Sequence, residues 1–355
     1  MRSPLQPRPR PRAHPMAERI HLAANNPDLG GGELMLLRHA EALVQLGHPV
    51  TVVAPDSPSE VLDAAGPTGA DVVAIRADGR RDYLRALRAW DRGERQGVLW
   101  CHGLVPAFAT SGRPRRIVHL HQDPRGRAQR VAAQIARRGA LATVVPSHDI
   151  AKRLPGSVPH ANWTHDLPRL ALDHRASSDV GYLGRLSTDK GVDVLARALS
   201  SLPHDVRLLL AGDTRYVDAD SVAAVDAAVS SLGPRATRLG HVPPEQLFRR
   251  VALVVFPSVW AEPFGLVVAE AMASGVPFVV SDAGALPEVA GTDHPWIARA
   301  GDADDLARVV ADALAASPDR TAVVTDRARR RWEEEYSPEA GRRRVAQLLD
   351  RLGVT

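Results

Sequence analysis

ALVVFPSVWAEPFGLVVAEAMASGVPFVVSD, residues 252–282, contains a strand, a loop, a helix and a second strand in one run. Its two ends, ALVVFPS (252–258) and PFVVSD (277–282), are short apolar runs of strand length with β-branched residues, and the middle turns helical near Gly265. Strands separated by a helix pair in parallel through a right-handed crossover, so this unit predicts a doubly wound α/β sheet. The alternation extends upstream through ATRLGH (236–241), VRLLLAG (206–212) and DVGYLG (179–184). A separate series precedes it: residues 19–24, HPVTVVAP (48–55), GADVVAI (69–75), GVLWC (97–101), RRIVHLH (115–121) and ALATVVP (140–146). Between the first strands, residues 33–46 predict a helix with Leu34, Leu37 and Val44 near one face, stopping at Gly47. Residues 163–178, rich in Pro, Asp, His, Arg and Ser, have no sustained period and read as a linker. The expected organisation is an unfolded Arg/Pro-rich tail at 1–17, a first Rossmann-like domain at 18–170 and a second at 175–336. A last helical pattern at 337–355 is placed back on the first domain.

The composition fits this and excludes much else. A chain of 355 residues with 45% apolar content can bury a core in each of two domains. Lys plus Arg number 45 against 41 Asp plus Glu, a net charge of +4, which is too thin an excess for a dedicated nucleic-acid binder. A single cysteine, Cys101, cannot form an intrachain disulfide or a CxxC metal pair, which fits a reducing cytosol. The richest apolar stretch, 251–261, has the length of a buried strand rather than of a membrane span. Residues 1–15, MRSPLQPRPRPRAHP, lack the apolar centre of a signal peptide, and Met16 is a candidate start.

Two blocks carry chemistry. GRLSTDKG (184–191) falls where a strand ends and a helix begins, the position where open parallel sheets bind anionic ligands. The chain contains only two lysines, Lys152 and Lys190, so a lysine kept at this position points to a phosphate; a solvated helix start is the plainer meaning. The block is not a Walker A loop, because Lys190 precedes its glycine. In the second block Glu262 lies in a Pro-flanked loop ahead of the helix and Glu270 follows one to two turns along it. Carboxylates accept from vicinal hydroxyls, so Glu270 suits a ribose and Glu262 a sugar ring, with a diphosphate on the helix end between them.

Together, GRLSTDKG and the spaced glutamates of EPFGLVVAEAMASGVP resemble the retaining glycosyltransferases of family 4, which have the GT-B fold: α/β, with two doubly wound Rossmann-like domains facing a central cleft. The likeness covers nearly the whole chain after residue 17, through Gly30, Gly31 and Gly32, GHPVTVVAP, PSHDIAKRL, NWTHDLP, LAGD, GHVPPEQL and GALPEVA in the expected order. It implies transfer of a hexosyl group from a nucleotide-diphosphate sugar to a hydroxyl acceptor, whether a glycolipid, a cell-envelope component or a small natural product. It further implies that Arg185 and Lys190 hold the diphosphate, Glu270 the ribose and Glu262 the transferred sugar. Backbone N–H groups at Phe264, Gly265 and Leu266 would meet phosphates and sugar, Val242 the nucleobase, and Gly31 and Gly32 the diphosphate from the opposite lobe. The family is commonly described as reacting by front-face attack, with the leaving phosphate taking the acceptor's proton. Cations and a helix N-terminus can stabilise that leaving group without a metal, so neither a DxD motif nor any cofactor is expected.

The first domain, on this resemblance, binds the acceptor. His121 matches a histidine beside the reacting sugar, with His119 one step further inside on the same strand and face. His102 would line the same cleft, and Asn25, Asn26 and Asp28 would hydrogen-bond acceptor hydroxyls. The sequence departs from the family at Trp163 and Thr164, after Asn162, where relatives often have glycine and an aliphatic residue. Two other functions stay open: a metal-dependent hydrolase using His119 and His121 as zinc ligands, and a non-catalytic nucleotide-sugar-binding protein. Arg-rich helical patterns at 80–96 and 125–139 are either solvated faces or a peripheral contact with an anionic membrane, which would place the protein in the cytoplasm at the inner membrane face.

Overall fold

The computed structural model describes residues 17–170 and 178–355. Residues 1–16 of the expected tail, Met16 among them, and residues 171–177 of the expected linker lie outside the described residues. The first sheet contains β1 (Ile20–Ala23), β2 (Val50–Pro55), β3 (Asp71–Ile75), β4 (Val98–His102), β5 (Arg116–His119), β6 (Ala142–Val145) and β7 (Val158–Pro159), in the order β3-β2-β1-β4-β5-β6-β7. The second contains β8 (Val180–Leu183), β9 (Leu208–Ala211), β10 (Ala236–Gly240), β11 (Leu253–Phe256), β12 (Phe278–Ser281) and β13 (Ile297–Ala298), in the order β10-β9-β8-β11-β12-β13. Pairing is parallel throughout both. Central strands such as β2 and β11 are buried along their whole length, because helices cover both faces of a parallel sheet. β7 and β13 are two-residue edge strands, too short to leave a periodic signal in sequence.

Each sheet begins at its middle, winds outward and then reverses, between β1 and β4 in one lobe and between β8 and β11 in the other. That reversal opens a crevice at the carboxyl ends of the strands. Both functional blocks of the second lobe follow such ends, one after β8 and one after β11.

The Gly31–Gln45 helix is rotated from its predicted face. Met35, Leu36, His39, Ala40 and Leu43 are buried, whereas Leu34 is exposed and Leu37 and Val44 pack only at the rim of the core. The reason is the last helix, Pro338–Arg351, which returns to this lobe and adds Val345, Leu348 and Leu349 to the same core. Residues 163–170 are likewise no free linker. Trp163, Leu167 and Leu170 point inward, and the strap is tied by Thr164 N–H to the Tyr336 carbonyl and Leu170 N–H to the Ser274 carbonyl. A segment without helical or strand period can still be core when tertiary contacts supply its partners.

Side-chain contacts hold the lobes together. Glu288 accepts from the backbone N–H groups of His148 (2.8 Å) and Asp149 (3.0 Å), capping the His148–Arg153 helix of the opposite lobe. The Arg125 guanidinium lies 3.0 Å from the Trp260 ring centre, and Arg215 reaches Glu60 at 3.4 Å. No helix among the described residues is long and apolar enough to cross a membrane.

Candidate active site

GRLSTDKG leaves β8 and enters the Val192–Ser200 helix. Gly191 caps that helix at φ +70°, and a Cβ there would sit 2.0 Å from the Pro257 carbonyl oxygen. Only glycine lets the two loops approach so closely, and their approach brings Lys190 onto Glu262. Lys190 Nζ donates to Glu262 Oε1 at 2.5 Å, and Ser258 Oγ donates to the same oxygen at 2.8 Å. Glu262 is buried, its backbone bridged to Gly284, so the carboxylate is fixed on both sides. Arg185 is paired with Asp189 at 3.2 Å and remains solvent-exposed.

The Leu266–Ser274 helix starts beside this pair. The N–H groups of Phe264, Gly265, Leu266 and Val267 find no backbone acceptor among the described residues, which leaves four donors and the positive end of a helix dipole for an anion. Phe264 is buried edge-on against Tyr336, with ring centres 5.3 Å apart, and anchors the turn. Leu266 packs against the apolar cores of both lobes, and a Cβ at Gly31 would lie 3.8 Å from its side chain. The glycine loop of the first lobe therefore meets the helix end of the second. A Cβ at Gly32 would come within 3.1 Å of the His121 ring, so the loop, His121 and this helix end are neighbours. Val242 is partly buried on the second-lobe core.

Glu270, on the same helix, makes no hydrogen bond or ion pair among the described residues, and burial raises its carboxyl to about 7, opposed by the charge of Arg38. A carboxyl whose folded pKa exceeds its ordinary 4.5 stabilises the fold only while protonated, so stability falls as pH rises from 4.5 to about 7. Glu270→Gln is therefore expected to raise the thermal midpoint of the ligand-free protein at pH 8, with the gain shrinking as pH falls toward 4.5. Melting curves across that range check this; an equal or lower midpoint at pH 8 would contradict it.

The first-lobe residues expected to meet an acceptor are occupied otherwise. Asn25 Oδ1 accepts from Val105 N–H at 3.0 Å, capping the Leu104–Ala109 helix. Asn26 gives both its backbone and side-chain N–H to Glu33 Oε1 at 3.1 Å. Asp28 lies 3.8 Å from Arg215 of the other lobe. The three side chains thus tie the end of β1 to a helix start, to the Glu33 carboxylate and to the other lobe, partners that only the folded chain supplies. His102 is fully buried and does not line the cleft.

Nor do His119 and His121 share a strand. β5 ends at His119 and His121 lies in the turn beyond, although their rings stay adjacent at 4.0 Å. They belong to a larger group that the sequence does not announce, because its five members come from four separated stretches. His39 Nε2 faces His160 Nε2 at 3.1 Å, and His102 Nδ1 faces His121 Nε2 at 3.1 Å. Nitrogens of His39, His102 and His119 lie within 4.8 Å of one another, a set that does not include His121. Burial lowers all five rings, His39 to about 3 and His121 to about 4, so they are neutral at physiological pH. Sequence reasoning also missed Ser258 and Arg38; the first stands four residues before Glu262, the one local hint available.

Residues 29–162 match the Glycosyltransferase Family 4 family and residues 177–316 the family described as Glycosyl transferases group 1. A D-inositol 3-phosphate glycosyltransferase of Mycolicibacterium vanbaalenii is 34% identical over 245 residues, 64% of this chain and 48% of that protein. An uncharacterized glycosyltransferase of Methanocaldococcus jannaschii is 36% identical over 115 residues, 30% of this chain and 28% of that protein. The matches thus span less than half of these relatives' lengths. Among solved structures, Anabaena HepE in complex with UDP-glucose superposes with a TM-score of 0.80 at 20% identity, covering 94% of this chain and 100% of that one. A sucrose-phosphate synthase from Thermosynechococcus elongatus does so with 0.79 at 19%, covering 95% and 99%. With GT-B architecture in the fold and both family signatures in sequence, the chain belongs to the group 1, family 4 glycosyltransferases.

Proposed function

We propose that the protein transfers a hexosyl group, with retention of configuration, from a nucleotide-diphosphate sugar to a hydroxyl acceptor. The observation that carries this is the meeting of Lys190 and Glu262, 72 residues apart in sequence, beside the unpaired N–H groups that start the Leu266–Ser274 helix. Breaking the sugar to diphosphate bond leaves negative charge on the diphosphate. Lys190, Arg185 and the helix end stabilise that charge from fixed positions, without reorganisation at the moment of reaction. Lys190 exchanges Glu262 for a phosphate oxygen when donor binds, and the released carboxylate accepts from hydroxyls of the transferred sugar. Glu270 takes the ribose hydroxyls, so nucleotide affinity rises with pH through about 7, as the carboxyl ionises. His121, beside Gly32, faces the reacting sugar.

Thermal-shift screening against UDP, GDP, ADP and TDP tests the donor half. One diphosphate should raise the midpoint by several degrees through mass action, with UDP tried first because HepE was solved with UDP-glucose. Transfer is then measured across hydroxyl acceptors that include a phosphorylated inositol, the acceptor named by the mycobacterial relatives. No shift with any of the four would overturn the assignment. A shift without transfer to any acceptor would favour a non-catalytic nucleotide-binding protein.

The Arg80–Gly93 and Gly126–Ala136 helices present exposed Arg81, Arg85, Arg88, Arg127 and Arg130 with exposed Val131 on the first lobe. This face supports peripheral contact with an anionic membrane by a protein of the cytoplasm. Binding to phosphatidylglycerol vesicles at low salt, lost at high salt, is the expected result. Equal partition with neutral vesicles would remove that contact from the proposal.

A further inference from the structure

The histidine group beneath the cleft holds more nitrogen lone pairs than partners. His39 sits on the Gly31–Gln45 helix, His102 and His119 are paired in register at the ends of β4 and β5, and His160 follows β7. All four are buried. His39 Nδ1 lies 2.6 Å from the Met35 carbonyl oxygen, which can only accept. Nδ1 therefore carries the proton, and Nε2 presents its lone pair to the group. That is the second-shell arrangement of a metal-ligating histidine, with the far nitrogen donating to a backbone carbonyl. His102 Nδ1 is engaged by His121, and its Nε2 has no partner among the described residues. Neither nitrogen of His119 has one. A buried polar atom is normally hydrogen-bonded, and of these three unpartnered nitrogens one on each ring can offer a lone pair, which together with His39 Nε2 suits a group that accepts lone pairs.

The geometry points to a transition-metal site: we propose that His39 Nε2, His102 Nε2 and one nitrogen of His119 bind a zinc-class divalent ion, with His160 as a fourth ligand. The candidate ligand atoms of the first three already lie within 4.8 Å of one another, and His160 Nε2 is 3.1 Å from His39 Nε2. Metal–nitrogen bonds of about 2.0–2.1 Å require each ring to move inward by less than about 1 Å. An all-imidazole donor set suits zinc, cobalt, nickel or copper and disfavours magnesium and calcium, which take oxygen ligands. Cys101 is no ligand: on the strand it points to the opposite face from Trp100 and His102, with its sulfur 3.6 Å from Thr110 Oγ1.

The site belongs to the first lobe and uses none of the side chains assigned to the donor, so it does not depend on the proposed transfer reaction. Its work is structural. One ion would pin the Gly31–Gln45 helix, whose start carries the glycine loop, to three segments of the sheet. It would also fix the tautomer and orientation of His102, and through their 3.1 Å contact those of His121 at the cleft. The two metal readings differ in kind: a hydrolase built on His119 and His121 would need an exposed, water-bearing ion, whereas this one is enclosed.

The test uses the full chain, stripped with a chelator and titrated with Co²⁺. The expected result is one ion per chain, a visible absorption band of tetrahedral intensity, displacement by Zn²⁺ and a raised melting temperature in zinc. The band should vanish in His119→Gln and survive in His204→Ala with His241→Ala, both exposed residues outside the group. X-ray absorption of the zinc-loaded wild type needs no variant, and should count three or four imidazoles. Absence of stoichiometric binding by the wild type overturns the proposal. So does a band unchanged by His119→Gln, or an absorption spectrum dominated by oxygen ligands, either of which would mean adventitious surface metal only.

Discussion

Lys190→Ala is expected to lower kcat/KM for sugar transfer by roughly 10²- to 10³-fold, the effect of removing one preorganised charge from a developing anion, or about 2.7–4 kcal/mol. The loss has a second component in the ligand-free protein. Lys190 Nζ and Ser258 Oγ share Glu262 Oε1, and truncation leaves that buried carboxylate with the hydroxyl alone. Because the lysine side chain is 24% exposed, water can replace part of the interaction, and about 1–3 kcal/mol of stability should be lost. The two components separate in the double variant with Glu262→Gln, which removes the stranded charge. Stability should largely return while turnover does not. Steady-state kinetics alongside thermal melts check both, and near-wild-type kcat/KM in Lys190→Ala would sink the assignment of Lys190 to the diphosphate.

Gly341→Ala is expected to cost about 2–3 kcal/mol of stability through a single added carbon, as overpacking of a full core does. The Pro338–Arg351 helix crosses Trp163 so closely that a Cβ at Gly341 would fall 2.2–2.6 Å from three indole carbons. Trp163 cannot swing away: its ring centre lies 4.6 Å from that of His39, and Arg38 donates to its carbonyl. The neighbouring Thr164 accepts from Trp332 Nε1 at 2.8 Å. The two residues that depart from the family pattern thus have structural partners of their own. In a Trp163→Ala background the added methyl has room, so Gly341→Ala should become nearly neutral or favourable there. A double-mutant cycle of melting temperatures measures this, and strict additivity would show that the helix does not sit on the indole.

Legibility followed the range of the physical signal. Strands of four to six residues, such as β2 and β11, stand out because burial on both faces demands an unbroken apolar run. β7 and β13, at two residues each, have no run to display. Lys190, Glu262 and Glu270 could be singled out because each sits at a fixed offset from a strand end or helix start. Asn25, Asn26 and Asp28 were equally polar and equally close to a strand end, yet their partners, Val105, Glu33 and Arg215, are set by folding. A hydrogen bond consumed by a distant backbone group leaves no mark near the residue that makes it.

The amino-acid order alone determined two parallel, doubly wound lobes and the family, because strand–helix alternation and the loop after a strand are local features with fixed periods. Tertiary structure alone decided which face of the Gly31–Gln45 helix is buried, that Trp163, Leu167 and Leu170 join the core, and that Lys190 rests on Glu262. It also decided the assembly of His39, His102, His119, His121 and His160, up to 121 residues apart, into one group. Those outcomes depend on which surfaces compete for the same space once the chain is compact, and sequence spacing carries no term for that competition.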